Sequence, residues 1–539
     1  MSSVKYVWVL FFLLSACNIQ AQKQTFLIFL KDKGTSSVHT FNFDKILTKA
    51  SIERRKQQNI HFRYEDLPIW KPYRDSLLQY VKIVGQSKWL NAIAIEATTT
   101  ELQKVRSLPF VLPEVILLKS ATTSSSRKMY FHQETFFETP SSKTYLQNSW
   151  IGVSEMHRQG LRGEGVTIAV FDNGFANLPN ITAFRHLFDN NRIVATYNFV
   201  QKNTDVFKDG RHGTQVLSIL AAHLPDSFIG IVPSANYILC TTEENHSETK
   251  LEEFYWLSAA EFADSLGAHI ISSSLGYNLF DDTAMNYQLD DLSNHVALIS
   301  RAAELASQVG ILVINSAGNE GNNKKWRKLM FPADAPSVIA VAAANRERKH
   351  ANFSSWGYQK EGLLKPELAA LGDLTAIVDT NGKIGVNFGT SFACPQVAGL
   401  AAGLWQAFPT VSSLQIRQAL LASAERAHQP DTLLGYGIPN FRTAYRVLAS
   451  QMTSYEKTMP ILFPTVVENQ LQIAFPPFFI GKSFDLQIFD AAGKRLCFLE
   501  GSIQHELHSF ELPPLPVVWG TAVLKISPDF FFQTKIQFR

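Results

Sequence analysis

The sequence is poor in cysteine and carries almost no excess of one charge. Only four cysteines occur in 539 residues, and the three that follow the N-terminal segment are Cys240, Cys394 and Cys497. An odd number of scattered cysteines excludes a disulfide framework and predicts three small buried thiols. The 50 basic and 47 acidic side chains give a formal net charge of only +3. This balance gives no reason to expect nucleic acid or an anionic membrane surface as a partner.

Apolar runs long enough to span a membrane are also missing. Residues 7–14 form a short apolar core after Lys5, whereas a bilayer about 30 Å thick needs about 20 apolar residues. The pattern predicts a signal peptide over residues 1–21, cleaved before Gln22. The alternative is a lipid on Cys17, because residues 14–17 (LSAC) resemble a bacterial lipobox. Either way we expect an exported chain, secreted or at the cell surface, without a transmembrane segment.

Length and composition predict several globular domains. The chain is longer than one core needs, and 46% hydrophobic with 18% charged residues is ordinary for folded protein. The first block, residues 22–144, shows strand and helix patterns in the order β-α-β-α-β, with a capping box at Thr98 and Glu101. This order predicts an α+β, ferredoxin-like unit. Its last part, residues 121–143, is polar and predicts an exposed linker that a protease can cut.

The middle block, residues 145–450, alternates short apolar runs with helical segments. Such alternation predicts a parallel sheet covered by helices on both faces, an α/β architecture. The runs at residues 166–171, 268–274 and 311–314 are each followed by polar residues. Open α/β sheets place their sites at the carboxyl ends of strands, so we expect these polar residues to form a site.

Three polar positions in this block are candidates for chemistry. Asp172 follows the first run, His212 precedes a helix that we expect Thr214 to cap, and Ser391 opens a helix with Pro395 in its first turn. A helix N-terminus stabilises the anion that forms when a serine oxygen attacks a carbonyl. Each residue alone also has an ordinary interpretation: a turn aspartate, a structural histidine and a helix-capping serine.

Taken together, the segments resemble the subtilisin family of serine peptidases. The order Asp, His, Ser is the chain order of that family, and residues 274–276 (SLG), 316–321 (SAGNEG), 353–357 (FSSWG) and 365–368 (KPEL) also resemble its motifs. The resemblance implies a catalytic triad of Asp172, His212 and Ser391, with Asn319 in the oxyanion hole. It implies that the substrate binds at Ser274, Leu275, Gly276, Ala317 and Gly318.

The resemblance also implies an enzymatic activity and synthesis as an inhibited precursor. We expect a secreted serine endopeptidase that cleaves peptides or proteins through an acyl-enzyme on Ser391. Residues ahead of about 145 would then be a propeptide, which inhibits the enzyme until it is removed. No cofactor is required by this chemistry. Structural calcium is possible, but no carboxylate cluster has diagnostic ligand spacing, so we assign no metal site.

The last block, residues 455–539, has a different pattern of polar and apolar residues. Residues 471–475, 484–489, 523–526 and 535–538 alternate polar and apolar side chains, which predicts a small antiparallel β-sandwich. Residues 463–465 (FPT), residues 488–494 (IFDAAGK) and Gly520 resemble the sorting domain that Bacteroidetes use for type IX secretion. The type IX machinery is therefore an expected partner. A generic accessory or carbohydrate-binding sandwich is the alternative.

Two other classes of function remain open. One is a catalytically inactive subtilisin-like binding module. The other is a serine esterase on a different α/β fold, which usually carries Gly-x-Ser-x-Gly with the acid between serine and histidine in the chain. Here the acid comes first, and Ala393 stands where the second glycine would be. Both features favour a peptidase over an esterase.

Overall fold

We describe the protein from a computed structural model. The predicted signal peptide, Cys17 and most of the predicted linker lie outside the residues that it describes. The described residues are 22–121, 137–138, 144–293, 295–455, 461–463, 466–467, 470–475, 479–490, 492–505, 507–513, 519–526 and 530–538.

The N-terminal domain is a four-stranded antiparallel sheet with helices. Its elements are β1 (Gln24–Leu30), α1 (Lys49–Gln57), α2 (Lys71–Leu77), β2 (Lys82–Ser87), β3 (Ala92–Ala97), α3 (Thr99–Arg106) and β4 (Val111–Lys119). The strand order β2-β3-β1-β4 is that of a ferredoxin-like fold. The predicted capping box of Thr98 and Glu101 begins α3. The sequence pattern missed α2 and β2, because Gly85 and a shift in register interrupt the alternation in β2.

The middle domain is built on a seven-stranded parallel sheet in the order β16-β13-β12-β11-β6-β10-β7. The three predicted apolar runs become β6, β11 and β12, which are adjacent, so the polar residues after them meet at one edge. Strand β5 (Phe137–Glu138) comes from the predicted linker and pairs with β18 of this domain. The strands of the domain itself are β6 (Thr167–Asp172), β7 (Ile193–Asn198), β8 (His223–Leu224), β9 (Phe228–Ile229), β10 (Asn236–Thr241), β11 (Ile270–Ser273), β12 (Leu312–Ser316), β13 (Ile339–Ala344), β14 (Tyr358–Lys360), β15 (Leu363–Lys365), β16 (Leu368–Leu371), β17 (Thr375–Val378) and β18 (Ile384–Asn387).

Helices cover both faces of this sheet, as predicted. One core packs α7 and α10 on the sheet, and a second packs α8 and α9 on the other face. No helix among the described residues has the length and apolar composition needed to cross a bilayer. The helices are α4 (Tyr145–Ile151), α5 (Val153–Arg158), α6 (Arg185–Asp189), α7 (Arg211–Ala221), α8 (Lys250–Ser265), α9 (Leu298–Gln308), α10 (Thr390–Ala407), α11 (Ser413–Ser423) and α12 (Phe441–Tyr455).

The N-terminal domain packs its sheet against α8 and α9. Leu27, Phe29 and Trp89 of the N-terminal domain share one buried core with these helices. Charged side chains cross the same interface: Arg54 and Arg55 of α1 pair with Asp264 of α8 at N–O distances of 2.6 and 2.7 Å. We call Arg54, Arg55 and Asp264 the interface charge cluster.

The C-terminal block forms two packed sheets, which agrees with the predicted β-sandwich. One sheet has the order β19-β21-β24 and the other β20-β26-β25-β22-β23. Their pairs are antiparallel except for β20 with β26. The apolar side chains of residues 471–475 and 484–488 meet in one core. The strands are β19 (Ile461–Phe463), β20 (Val466–Val467), β21 (Gln470–Ala474), β22 (Ser483–Phe489), β23 (Arg495–Ser502), β24 (Leu507–Glu511), β25 (Trp519–Ile526) and β26 (Phe530–Phe538).

Candidate active site

Asp172 and His212 form a buried hydrogen-bonded pair. Asp172 is the last residue of β6, and His212 lies in the first turn of α7. The Nδ1 atom of His212 lies 2.8 Å from Oδ1 of Asp172, and the same oxygen accepts a bond from the Asn173 amide. Because a carboxylate can only accept, Nδ1 carries the proton and Nε2 is left to act as a base. Both side chains are almost completely buried.

Glycine allows this pair to come together. A β-carbon on Gly213 would lie 2.1 Å from the carbonyl oxygen of Gly174, so only glycine fits beside the turn that follows Asp172. The prediction that Thr214 caps the helix is wrong, because α7 begins earlier, after Gly210. The Thr214 hydroxyl instead donates to the carbonyl of Ala176, 3.0 Å away, and so ties the helix to the same turn.

Ser391 lies in the first turn of α10, and the residue that follows it packs against His212. The N-cap of this helix is Gly389, so Ser391 is not a capping residue. Its hydroxyl oxygen lies 3.3 Å from the carbonyl oxygen of Ser274. The ring of the next residue, Phe392, packs 5.7 Å from the His212 ring, measured between centroids. The structure therefore brings the three predicted triad residues into one site.

Pro395 is not in the first turn of α10, contrary to the prediction. The helix starts at Thr390, so Pro395 lies inside it. Proline has no N–H to donate to the carbonyl four residues earlier, which is that of Ser391. The hydroxyl of Ser274 donates to that carbonyl instead, at 2.9 Å. Pro395 thus leaves the carbonyl of Ser391 available to Ser274, and this bond fixes Ser391 to the segment after β11.

Asn319 is oriented by the residue that precedes Ser391. Its side-chain oxygen accepts bonds from the backbone amide and the hydroxyl of Thr390, at 2.9 and 3.0 Å. With the oxygen held in this way, the amide nitrogen is free to donate, and it borders Gly389. A fixed N–H donor next to a serine hydroxyl is suited to binding an oxyanion. The sequence singled out Asn319 but not Thr390.

The predicted substrate-binding residues form two neighbouring walls. Ser274, Leu275 and Gly276 follow β11, whereas Ala317 and Gly318 follow β12, and these two strands pair in parallel. Asn315 of β12 donates to the carbonyl of Leu275 at 2.8 Å, which links the walls at their base. The two segments therefore leave the sheet side by side, next to Ser391.

A polar network that the sequence analysis missed holds α7 in place. Arg211 and Gln215 both donate to Oδ1 of Asp379, at 2.8 and 2.9 Å. Gln215 also accepts from Asn387 at 3.1 Å. Arg211 and Gln215 are four residues apart, so their side chains lie on the same face of α7. In the sequence they flank His212. That spacing was visible in the sequence, but Asp379 is 168 residues from Arg211 and nothing local pointed to it.

Glu243 is a second buried carboxyl group near the pair. Burial raises its pKa to about 7, and the charge of Asp172 acts in the same direction. Its side chain accepts a bond from the hydroxyl of Tyr277. In the described part of the chain, one group of three possible metal ligands occurs: Glu243 with Glu248 and Glu252, whose oxygens lie within 4.8 Å of one another. Burial also raises the pKa of Glu248 and Glu252. Bound protons can therefore neutralise these carboxylates, and we assign no cation to them.

Comparison with known proteins agrees with this geometry. Residues 163–437, more than half of the chain, match the Subtilase family. The chain belongs to the subtilase family. Residues 25–132 match the Peptidase S8 propeptide domain of Bacteroidota, so this subtilase has an N-terminal propeptide that coincides with the ferredoxin-like domain.

Individual relatives give the same picture. Subtilisin E of Bacillus subtilis is 30% identical over 290 residues, which cover 52% of this chain and 67% of the relative. The thermostable alkaline protease of Halalkalibacterium halodurans is 28% identical over 292 residues, which cover 54% and 70%. The alkaline elastase YaB of a Bacillus species is 24% identical over 425 residues, which cover 77% and 97%. This subtilase is a serine endopeptidase, and neither the inactive module nor the esterase gains support.

Proposed function

We propose that Ser391, His212 and Asp172 are the catalytic triad of this endopeptidase. His212 takes the proton of the Ser391 hydroxyl as its oxygen attacks the scissile carbonyl, and it then gives a proton to the leaving amine. Asp172 orients the imidazole and stabilises its charged form. Water hydrolyses the resulting acyl-enzyme by the same route in reverse. These steps use only protein groups, so we propose no catalytic cofactor.

The substrate and the developing charge would be held by the neighbouring segments. The side-chain amide of Asn319 and the backbone N–H of Ser391 donate to the oxyanion. An extended peptide adds as a strand to residues 274–276, so that main-chain hydrogen bonds supply much of its affinity. The side chain of the residue that supplies the scissile carbonyl lies between this segment and Ala317–Gly318.

One observation carries this proposal. Asp172, His212, Asn319 and Ser391 are separated by up to 219 residues in the chain, yet they lie at one edge of the sheet. There His212 bonds to Asp172, and Thr390, the residue before Ser391, bonds to Asn319. A catalytically inactive binding module would have no need to bury an Asp–His pair next to a serine. Labelling by a serine-directed phosphonate, mapped to Ser391 and lost in Ser391→Ala, tests the nucleophile. Hydrolysis of unfolded casein in preference to simple esters tests the peptidase reaction.

We further propose that the enzyme removes its own propeptide. The support is the large buried interface between the N-terminal domain and helices α8 and α9, which keeps the two together in the precursor. Cleavage within residues 121–143 would then release the inhibitor. Expression of Ser391→Ala tests this idea, because we expect that variant to remain at full precursor length. Processing of Ser391→Ala to the mature size in a protease-deficient host would contradict it.

The proposed location is outside the cell, reached through type IX secretion after signal-peptide cleavage. The support is the apolar segment at residues 7–14 and the C-terminal β-sandwich. Residues 455–539 fused to a periplasmic reporter should carry it across the outer membrane in a host with that machinery. The same fusion in a host without the machinery is the control. Retention inside both hosts would favour an accessory or carbohydrate-binding domain instead.

A further inference from the structure

The crevice between the two substrate-binding walls is occupied by a side chain that the sequence did not single out. Gly276 lies on the segment after β11 and Gly318 on the segment after β12, and these two strands pair in parallel. Met330 lies between the two glycines. A β-carbon on Gly276 would be 2.8 Å from Cβ of Met330, and one on Gly318 would be 2.7 Å from its Cγ. Each glycine is therefore in direct contact with the methionine.

The position of Ser391 shows which part of a substrate would enter this crevice. Its hydroxyl oxygen lies 3.3 Å from the carbonyl oxygen of Ser274. The amide of Gly318 donates to the hydroxyl oxygen of Thr390 at 3.2 Å. A carbonyl attacked by Ser391 and held by Asn319 must sit where the two walls begin. The side chain of the residue that supplies this carbonyl, the P1 residue, therefore points between Gly276 and Gly318.

The backbone makes the crevice rigid at its closed end. The amide of Met330 donates to the carbonyl of Ala317 at 3.2 Å, and Phe331 exchanges two hydrogen bonds with Tyr277 at 2.9 and 3.0 Å. The segment that carries Met330 is thus bonded to both walls. The Met330 atoms nearest the glycines are Cβ and Cγ. Rotation of the outer part of the side chain would leave these two atoms in place.

We propose that Met330 limits the depth of the P1 pocket of this peptidase. The pocket then accepts small P1 residues, such as alanine and glycine, and rejects large aromatic ones. This inference rests on the proposed triad and on the proposed binding of substrate along residues 274–276. It adds a determinant of substrate class to that function. The half-buried Met330 side chain fills the space that a phenylalanine side chain would need.

The test uses the processed enzyme and four tetrapeptide p-nitroanilides that differ only at P1: glycine, alanine, leucine and phenylalanine. We expect kcat/KM of the wild type to be at least about 10- to 200-fold higher for alanine than for phenylalanine, because a hydrophobic pocket discriminates by that factor for a single methylene group. Met330→Ala should raise kcat/KM for phenylalanine by at least about tenfold. Met330→Leu is the matched control, because it conserves volume and should keep the wild-type order.

The outcomes separate this inference from the proposed function. A wild type that cleaves the phenylalanine and alanine peptides equally well overturns it, as does a Met330→Ala variant with an unchanged ratio. If Met330→Ala does not fold, the ratio of inhibition constants of peptide aldehydes ending in alanine or phenylalanine, measured on wild type and Met330→Leu, decides. If the wild type cleaves none of the peptides and no phosphonate labels Ser391, the proposed function fails, and this inference falls with it.

Discussion

Buried polar side chains occur at both edges of the central sheet, and the two edges differ in kind. At the carboxyl edge, Asp172 ends β6 and bonds to His212, whose ring packs against Phe392, the residue after Ser391. At the amino edge, Arg54 of the propeptide donates to the carbonyls of Ala268 and Val309, just before β11 and β12, and pairs with Asp264. One edge holds groups that can exchange protons near neutral pH, and the other holds partners that are charged at neutral pH.

The difference concerns what burial does to each cluster. Burying an ion pair costs desolvation, and this cost is recovered only with good geometry and complete hydrogen bonding. The interface charge cluster therefore fixes the orientation in which the propeptide docks and adds little net stability. The proposed triad uses burial differently, because a dry site strengthens the electrostatic interaction of Asp172 with His212. If the two edges act independently, a substitution at one edge should leave the function of the other unchanged.

The largest effect is expected at the carboxyl edge. Asp172→Asn should lower kcat for peptide hydrolysis by about 10,000-fold, because the amide would hold the imidazole in the wrong tautomer. The stability of the propeptide complex should not change. Activity assays and urea unfolding of the precursor measure the two effects. Asp189→Asn, at an exposed aspartate, is the control, and a large loss there would mean that the assay reports folding instead.

The second effect is expected at the amino edge. Asp264→Asn leaves Arg54 and Arg55 without their shared carboxylate and should weaken propeptide docking by about 3 to 5 kcal/mol. The lag before the precursor reaches full activity should shorten, while kcat of the mature enzyme stays the same. Lys82→Ala removes an exposed pair with Glu96 and should change docking by less than about 1 kcal/mol. A changed kcat in mature Asp264→Asn would show that the two edges are coupled.

Propeptide docking should also weaken in acid. Burial acts to raise the pKa of Asp264, but the charges of Arg54 and Arg55 outweigh it and hold the pKa below its ordinary value. A carboxyl group whose pKa is depressed on docking contributes stability above its ordinary pKa of about 3.9 and loses it as pH falls further. Dissociation of the propeptide from cleaved wild type, measured against pH, should therefore rise only below about pH 4. In Asp264→Asn this acid-dependent step should be missing.

A third variant refines the carboxyl edge. Asn319→Ala should lower kcat by about 100- to 1,000-fold with little change in KM, a range measured in enzymes of this family. The reason is that Asn319 would donate to the oxyanion only in the transition state. Steady-state kinetics on one peptide substrate separate the two constants. An increase in KM alone would mean that Asn319 binds the ground state.

The smallest effect concerns Glu243, which lies near the triad. Its raised pKa, about 7, means that the folded state holds a proton that the unfolded state releases above about pH 4.3. Stability therefore falls as pH rises from about 4 to 7, and Glu243→Gln should remove that loss. In a Ser391→Ala background, Glu243→Gln should be up to about 3 kcal/mol more stable at pH 8 and unchanged at pH 4. Equal stability at pH 8 would contradict this reasoning.

Local sequence patterns gave most of the elements but not all of their ends. The apolar runs before Asp172 and after Val309 identified β6 and β12 because central parallel strands are buried on both faces. Pro395 was misplaced within α10, because proline is typical of a first turn, whereas here it lies further inside and the hydroxyl of Ser274 donates to the carbonyl that proline leaves without its helical donor. Strand β2 was missed because a bulge at Gly85 hides its alternation.

The sequence by itself indicated the domain order and the sheet class, because these depend on local periodicity. Its short motifs, through their resemblance to the subtilisin family, singled out the four side chains that we propose for catalysis. Only the tertiary structure decided that Asp379 anchors α7, that Thr390 orients Asn319 and that Met330 lies between Gly276 and Gly318. Each of these contacts joins segments far apart in the chain, and no local pattern encodes which side chain will fill a space between two strands.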